Sequence, residues 1–211
     1  MIDSNFIKNS KIGIQNVSRE TLDELNKYSL SILKKNKDIN LISLSTEKSI
    51  NTRHILDSAQ TIDFIDKNDS VCTDLGSGAG LPGIVLAIIM KHRKSSMEFH
   101  LYEKSYHKSN FLREVSERFN LNTKIIQKNI FEEKNLKTYS IVSRAFKPLP
   151  IILDLANENF VKFENIILFL GKNGKEILKD TLKKWNFDYE EKKSLTNKDS
   201  LIIKIKNLKK I

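Results

Sequence analysis

The residues best suited to chemistry are the glycines that follow the β-type run Val71 to Leu75. Gly76, Gly78 and Gly80 alternate with small residues, and the apolar stretch Ile84 to Met90 comes next. Glycine lets the backbone turn tightly and approach a ligand without an intervening Cβ atom, and the free N–H groups at a helix start face such a ligand. This succession of strand, glycine loop and helix predicts a nucleotide-type binding site.

The spacing within the loop distinguishes between nucleotide classes. A dinucleotide fingerprint needs another glycine three positions after Gly78, where this chain has Leu81. Alternate glycines after Asp74 resemble instead the first motif of class I S-adenosylmethionine-dependent methyltransferases. Glu103, at the end of the second β-type run, completes that pattern, because a carboxylate offers two acceptor oxygens to the two hydroxyls of a ribose. The cofactor that this resemblance implies is S-adenosyl-L-methionine.

The methyl acceptor decides which other side chains are needed, since methyl transfer mainly requires alignment of the donor carbon and the nucleophile. Methylation at C5 of a pyrimidine uses a cysteine, and Cys72 lies inside the first predicted strand. Amino-group methylation of adenine or cytosine commonly uses an Asn/Asp-Pro-Pro-aromatic segment after the fourth strand, but Ser-Arg-Ala-Phe-Lys-Pro stands there, from Ser143 to Pro148. Guanine N7 already carries an in-plane lone pair and needs no strong general base. The sequence is compatible with that acceptor.

Alternation of β-type and amphipathic segments predicts the elements that position these residues. The β-type runs are Val71–Leu75, Glu98–Glu103, Lys124–Gln127, Ser140–Ser143, Asn165–Leu170 and Leu201–Ile205. Apolar residues at helical spacing predict helices through Phe111–Phe119, Ile152–Ala156 and Ile177–Trp185. The pattern predicts an α/β, Rossmann-like fold with a mostly parallel sheet and helices on both faces. A ligand should then bind at the carboxyl ends of the strands.

The chain before Ser70 reads as helical. Ser18 is a candidate N-cap for a helix from Glu20 to Asn36, and apolar residues between positions 50 and 62 suggest another helix. We therefore expect an N-terminal helical extension, residues 1–69, in front of one compact methyltransferase core, residues 70–211.

Composition limits the classes of function. The length of 211 residues suits one α/β-sized domain, and the net charge of +10 suggests a polyanionic partner, although 30 lysines against 6 arginines also fit a bias towards A-rich codons. A single cysteine excludes a disulfide framework and a multi-cysteine metal site. The longest uncharged stretch is too short for a membrane span, and the first residues lack an export signal. We expect a cytoplasmic protein without a bound metal.

Several strings are more specific than a glycine loop. They are Asn40-Leu41, Arg-His-Ile-Leu-Asp-Ser from Arg53, the loop Asp74–Gly83, Lys108–Arg113 and Ser-Arg-Ala-Phe from Ser143. In this order they resemble the RsmG family, also called GidB, which methylates N7 of a guanine in bacterial 16S ribosomal RNA. The resemblance implies an rRNA (guanine-N7) methyltransferase that acts on 16S ribosomal RNA or the small ribosomal subunit. We expect no obligate protein partner and no membrane contact.

Carried over by position, the family's cofactor contacts fall on Gly76, Leu81, Ile130, Phe131 and Arg144. Ile130 and Phe131 would flank the adenine, with packing into the core as their alternative role. Phe131 stands where the family usually has an acidic residue. Arg144, through its planar fork of donors, would position the cofactor or the guanine without acting as a base.

The resemblance favours an RNA-facing or cofactor-proximal role for Arg53 and His54. The alternative is an exposed salt bridge to Asp57, which lies within a helical turn of both. Asn129 replaces a family arginine. The candidates to compensate for such departures are Lys128, Lys172 and Lys198.

Two other functions remain open from the sequence. One is a methyltransferase that acts on another RNA nitrogen or on a small molecule. The other is a non-catalytic RNA-binding ribosome assembly factor, whose glycine loop no longer supports methyl transfer. Only the enzymes leave a methylated product, so the product distinguishes the two classes.

Overall fold

An N-terminal helix, α1 (Arg19–Lys35), opens the computed structural model, which describes residues 17–66 and 70–211. Ser18 caps the helix as the sequence predicts, because its hydroxyl accepts a hydrogen bond from the Thr21 N–H at 3.3 Å. Leu25, Tyr28 and Ile32 are fully buried. Their helical spacing turns one face of α1 towards the rest of the protein.

Short helical turns follow α1 and replace the regular helix predicted near residues 50–62. Leu44–Ser49 and Gln60–Phe64 are 3₁₀ turns, Asn51–Leu56 is a π-helical turn and Asp57–Ala59 is a single α-helical turn. Single π-helical turns are rare and frequently lie at functional sites. Residues 1–16 and 67–69 of the expected extension, including the start of the chain, lie outside the described residues.

A seven-stranded sheet carries the fold. Its strands are β1 (Val71–Leu75), β2 (Glu98–Tyr102), β3 (Thr123–Ile126), β4 (Ser140–Ser143), β5 (Asn165–Leu170), β6 (Trp185–Lys193) and β7 (Leu201–Lys210). Their spatial order is β3-β2-β1-β4-β5-β7-β6, in which β1 to β5 are parallel and β7 is antiparallel to both of its neighbours. The predicted α/β fold with a mostly parallel sheet is confirmed. The order reverses between β1 and β4, which is where such sheets bind ligands.

The remaining helices cover the two faces of the sheet. They are α2 (Gly83–His92), α3 (Tyr106–Arg118), α4 (Leu149–Asn159) and α5 (Gly174–Thr181). Neighbouring strand residues point to opposite faces, so Ile167 of β5 packs with α1, α2 and α3, whereas Ile166 and Leu168 pack with α4 and α5. Although α2 is apolar, no helix within the described ranges is long and apolar enough to cross a membrane.

The C-terminal region differs from the prediction at Trp185. The predicted helix through this residue ends at Thr181, and Trp185 begins the edge strand β6. Trp185 and Phe187 are buried, whereas Asn186 and Asp188 are exposed. This alternation has the two-residue period of a β-strand. The prediction was wrong because Trp185 also continues the helical spacing of the preceding apolar residues. Two short strands, Leu136–Lys137 and Phe160–Lys162, pair separately and were not predicted.

The N-terminal segment, residues 17–66, and the sheet share one hydrophobic core. Tyr28 and Ile32 of α1 belong to the same buried cluster as Ile84 and Ile88 of α2. Since α2 begins directly after the glycine loop, this packing brings α1 close to the predicted ligand site.

Candidate functional site

A cavity of about 380 Å³ opens at the carboxyl ends of β1, β2 and β4, within the size range of small-molecule sites. Its walls come from the loops after four parallel strands and from the N-terminal segment. The predicted site residues that line it are Gly76, Gly78, Leu81, Glu103, Ile130, Arg144, His54 and Lys128. Those that lie outside this lining are Asp74, Gly80, Phe131, Arg53, Lys172 and Lys198.

The glycines of the loop have different local requirements. Gly76, Gly78 and Gly80 have φ angles of +67°, +57° and +90°, in the region that favours glycine. A Cβ atom on Gly76 would lie 2.1 Å from the Phe146 ring, and one on Gly80 would lie 2.4 Å from Ile84 Cγ1. For Gly78 the nearest described atom beyond its chain neighbours would be the Gly76 carbonyl oxygen, at 3.8 Å. Gly78 therefore faces open space from which a ligand can approach the backbone.

Asp74 lies beneath the loop. Its side chain is fully buried, and its Oδ2 accepts a hydrogen bond at 3.0 Å from the N–H of Gly83, the first residue of α2. A Cβ atom on Gly83 would lie 2.6 Å from the same oxygen, so this contact needs a glycine. Burial raises the pKa of Asp74 to about 7, against the opposing effect of the hydrogen bond from the Gly83 N–H. Asp74 therefore shapes the loop from below.

We expect the raised pKa of Asp74 to make stability depend on pH. A carboxyl with a folded-state pKa of about 7, raised from 3.8, contributes stability that is fully present below the lower value and is lost as the pH rises through the higher one. Asp74→Asn keeps an oxygen for the Gly83 N–H and removes the ionisation. In urea unfolding, the free energy of unfolding of the wild type minus that of the variant should fall between about pH 4 and about pH 7. A constant difference would contradict the assigned pKa.

Glu103 directly follows β2, one residue beyond the end of the observed strand, and connects that strand to the glycine loop. Its two carboxylate oxygens accept hydrogen bonds from the Gly78 N–H at 2.9 Å and from the Ser105 N–H at 2.8 Å. A carboxylate has about four acceptor sites, so each oxygen retains capacity for a ligand hydroxyl. This placement suits the paired hydroxyls of a ribose next to Gly78.

The loop after β3 forms a further wall of the cavity. Ile130 is buried and lines the cavity, whereas Phe131 is 38% exposed and lies beside Phe146, with ring centroids 5.9 Å apart. The Asn159 side-chain amide donates to the carbonyl oxygens of Ile130 and Phe131, both at 3.2 Å, and so supports this loop from α4. Sequence reasoning missed Asn159, because nothing in its local pattern indicates that contact. The apolar surface of Ile130 suits a flat, aromatic ligand.

Tyr28 of α1 supports the glycine loop from the other side. This residue is fully buried, and its hydroxyl donates a hydrogen bond to the carbonyl oxygen of Ala79, which lines the cavity, at 2.5 Å. Burial raises the pKa of the Tyr28 hydroxyl well above its usual range, so the group remains a donor. Sequence reasoning missed Tyr28, because the apolar face of α1 carries no sign of what it packs against.

Tyr28→Phe should lower the affinity for S-adenosyl-L-methionine about fivefold, because the change removes one hydrogen bond to the loop and almost no volume. Isothermal titration calorimetry measures the effect. Tyr189→Phe is a matched control, since Tyr189 is 42% exposed on the edge strand β6. Equal affinities for Tyr28→Phe and the wild type would show that the loop keeps its shape without this contact.

Arg144, directly after β4, makes contacts that the sequence does not reveal. Its Nε donates to Asp57 Oδ2 at 3.0 Å, and Nη1 donates to His54 Nδ1 at 3.1 Å. Its Nη2 donates to the Arg53 carbonyl oxygen at 2.5 Å. Asp57 thus forms a largely buried ion pair with Arg144, while the Arg53 side chain is exposed. The π-helical turn and the end of β4 are thereby joined at the cavity.

His54 is held between two partners. Its Nε2 lies 2.7 Å from Thr46 Oγ1, and its Nδ1 faces Arg144. Burial, followed by the charge of Arg144, lowers the pKa of His54 to about 4, so the imidazole is neutral near pH 7. A neutral imidazole that accepts a hydrogen bond at Nδ1 carries its proton on Nε2. This Nε2–H group donates a hydrogen bond to the Thr46 hydroxyl. Both nitrogens are occupied, which leaves His54 unsuited to act as a general base.

Lysines surround part of the cavity. Lys104, Lys108 and Lys128 line it, and Lys128 also pairs with Glu133 at 2.9 Å. Sequence reasoning did not include Lys104 and Lys108 among the RNA-binding candidates. Their positions just after β2 and at the start of α3 place positive charge on the side that carries Glu103.

The chain is similar to a known protein family over most of its length. The profile of GidB, rRNA small subunit methyltransferase G, matches residues 21–204. Ribosomal RNA small subunit methyltransferase G of Pelagibacter ubique is 51% identical over 198 residues, which are 93% of this chain and 93% of that protein. The protein of the same name from Rickettsia akari is 35% identical over 195 residues, 92% of this chain and 98% of its own length.

Solved structures with low sequence identity share the fold. The 16S rRNA methylase RmtB matches with a TM-score of 0.53 and 9% identity, over 95% of this chain and 77% of its own. TYW2 of M. jannaschii, solved in complex with AdoMet, matches with a TM-score of 0.50 and 15% identity, over 95% of this chain and 81% of its own. At such identities the likeness concerns the fold alone.

Proposed function

Because this chain belongs to the rRNA small subunit methyltransferase G family, we propose that it transfers a methyl group from S-adenosyl-L-methionine to N7 of a guanine in 16S ribosomal RNA. The observation that carries the proposal is the contact between Glu103 and the Gly78 N–H at 2.9 Å. It puts a strong acceptor for ribose hydroxyls beside a glycine that faces open space. A nucleoside cofactor fits that combination.

Different residues of the cavity would bind different parts of the cofactor. Glu103 would accept hydrogen bonds from the ribose hydroxyls, and Ile130 would contact the adenine. Gly78 leaves room for the methionine portion along the loop, while the absence of a side chain at Gly76 makes room for the Phe146 ring. The cofactor supplies an electrophilic methyl group, so the chain's own residues have to hold the acceptor in line with it.

The protonation and the placement of the titratable groups support a ring nitrogen as the methyl acceptor. His54 lines the cavity with a pKa of about 4, and its Nδ1 is occupied by Arg144. Asp74 carries the raised pKa, but it lies below the cavity lining. Guanine N7 presents a lone pair without deprotonation, so a site that positions the base without a general base is sufficient for this acceptor.

The opposite end of the cavity would receive the guanine. With the ribose at Glu103 and the adenine at Ile130, the rest of the lining includes Leu41, His54, Arg144 and Phe146. Leu41 belongs to the N-terminal segment, where its N–H donates to Asn36 Oδ1 at 2.8 Å. This segment would therefore contribute to base recognition as well as to the core.

An RNA substrate should be recognised mainly through its phosphates, by lysines at the cavity mouth. We expect RNA affinity to fall with increasing salt, while the affinity for the cofactor changes little, because phosphate contacts release counterions. Lys104→Gln and Lys108→Gln should each reduce the salt slope by about 0.7 to 0.9. Filter binding over a KCl series measures the slope, and Lys206→Gln on β7 is the control. A flat RNA affinity would show that the charge of +10 reflects codon usage.

Mapping of modified nucleosides tests the function. Ribosomal RNA from cells that lack the protein should lose a single 7-methylguanosine in 16S ribosomal RNA, and purified protein should restore it. Free 16S ribosomal RNA and isolated small subunits are offered in parallel to identify the substrate. A methyl group on another nitrogen, or RNA binding without any methylation, would favour the alternatives of a different methyltransferase or an assembly factor. We further propose that the reaction takes place in the cytoplasm, with the ribosomes.

A further inference from the structure

The carboxylate of Asp57 joins three parts of the chain that are distant in sequence. Its Oδ2 accepts from Arg144 Nε at 3.0 Å. Its Oδ1 accepts from Gln60 Nε2 at 2.7 Å, from Ser194 Oγ at 3.1 Å and from Thr196 Oγ1 at 2.6 Å. We refer to Asp57, Gln60, Arg144, Ser194 and Thr196 as the Asp57 cluster. It connects the helical turns, the end of β4 and the turn between β6 and β7.

The turn between β6 and β7 is attached to the helical turns by further contacts. The Leu195 N–H donates to Gln60 Oε1 at 3.0 Å, and Lys192 forms an ion pair with Asp63. Gln60 is fully buried and Ser194 is 8% exposed. The backbone of the turn is therefore held in place, so its hydroxyls approach Asp57 from a defined direction.

These hydroxyls restrict how the carboxylate can rotate. Hydrogen bonds to an ionised group are shorter and stronger than neutral ones, and Oδ1 of Asp57 accepts them from three directions. If Oδ1 lost the bonds from the turn, the carboxylate could rotate and the guanidinium of Arg144 would follow it. Arg144 lines the cavity, so a small rotation would change the surface presented to the reactants.

We propose that the Ser194–Thr196 turn positions Arg144 for methyl transfer by fixing the carboxylate of Asp57, an inference that rests on the proposed function. Thr196 and Ser194 are positioning residues, since neither lines the cavity. Of the five N–H groups of a guanidinium, Arg144 uses three for Asp57, His54 and Arg53. The other two have no hydrogen-bond partner among residues 17–66 and 70–211, and their direction follows from the first three contacts. We infer that they serve the cofactor or the guanine.

A pair of substitutions in the full-length protein tests the role of the turn. Ser194→Ala combined with Thr196→Val removes both hydroxyls and keeps the size of the side chains. We expect a loss of about tenfold in the single-turnover rate of methyl transfer at saturating cofactor, with the affinity for S-adenosyl-L-methionine changed less than twofold. Thr196→Ser, which keeps the hydroxyl, should retain nearly the full rate.

Thr123→Val is the matched control. The Thr123 hydroxyl is bonded to Ser116 Oγ on the β3 side of the sheet, away from Arg144. Its removal should leave the rate unchanged. An unchanged rate in the double variant, or a failure of Thr196→Ser to retain the rate, would overturn the proposal.

A second readout does not depend on methylation. The Nε–H resonance of Arg144, identified by its absence in Arg144→Lys, should exchange slowly with water in the wild type and faster in the double variant. If the wild type methylates no RNA, the proposed function is wrong. The exchange rate of the Arg144 Nε–H group still tests whether the turn holds Arg144 in place. Identical exchange in both proteins would show that the turn does not hold Arg144.

Discussion

Arg144→Ala is expected to abolish methyl transfer and to lower the free energy of unfolding by about 3 to 5 kcal/mol, the cost of leaving one member of a buried ion pair alone. The Asp57 and Arg144 side chains are only 12% and 17% exposed. Arg144→Lys keeps the charge, so a smaller loss of stability is expected. Its rate should still fall about a hundredfold, because a single ammonium group cannot reproduce the directed donors of a guanidinium.

Urea unfolding and single-turnover kinetics separate the two effects of Arg144. Arg19→Ala is the control, since Arg19 is exposed at the start of α1. A normal rate per folded molecule of Arg144→Ala would reduce Arg144 to a structural residue. Unchanged stability of that variant would show instead that Asp57 does not need its cationic partner.

Gly78→Val is the second change with a large expected effect. We expect a loss of affinity for S-adenosyl-L-methionine of at least about a hundredfold, because the new side chain would extend into the open space from which the ligand approaches the backbone. The protein should still fold, because the nearest described atom to the new Cβ would be 3.8 Å away. The φ angle of +57° adds a strain of about 1 to 2 kcal/mol for a residue with a Cβ atom. Calorimetry of the folded variant measures the affinity.

Two other glycines provide the comparison for Gly78→Val. Gly171 lies outside the glycine loop, and a Cβ atom at this position would have no described atom within 4 Å. The Gly171→Val variant should therefore bind the cofactor normally. Gly80→Val would place its Cβ atom 2.4 Å from Ile84 and should mainly lower the melting temperature. Normal affinity of folded Gly78→Val would place the cofactor away from this loop.

The parts of this protein that the sequence predicts are those encoded by local patterns. The apolar runs at β1, β4 and β5 match the observed strands, and the glycine spacing together with Glu103 indicates the site that the sheet forms at its carboxyl edge. The specific strings that follow Arg53 and Ser143 identify the family, and this assignment is confirmed. Each strand, loop or string that contributes to these signals is local in the sequence.

The parts that escape prediction depend on contacts between distant segments. Tyr28, Asn159 and Thr196 have ordinary local surroundings, and their hydrogen bonds to Ala79, the loop after β3 and Asp57 arise only when the chain is folded. A single sequence contains no record of such pairs. The edge strand β6 was missed for a related reason, since its charged residues and short apolar alternation carry little signal without its partner β7.

The core shared by α1 and α2 has a consequence for modularity. A fragment that begins with β1 would expose the apolar surface of α2 and would lose Tyr28, His54 and Asp57, which support or line the cavity. We therefore expect the Rossmann-like unit of this chain to depend on the N-terminal segment for its stability. A fusion protein that contains this unit, or that joins it to a foreign RNA-binding segment, would also have to include the N-terminal segment.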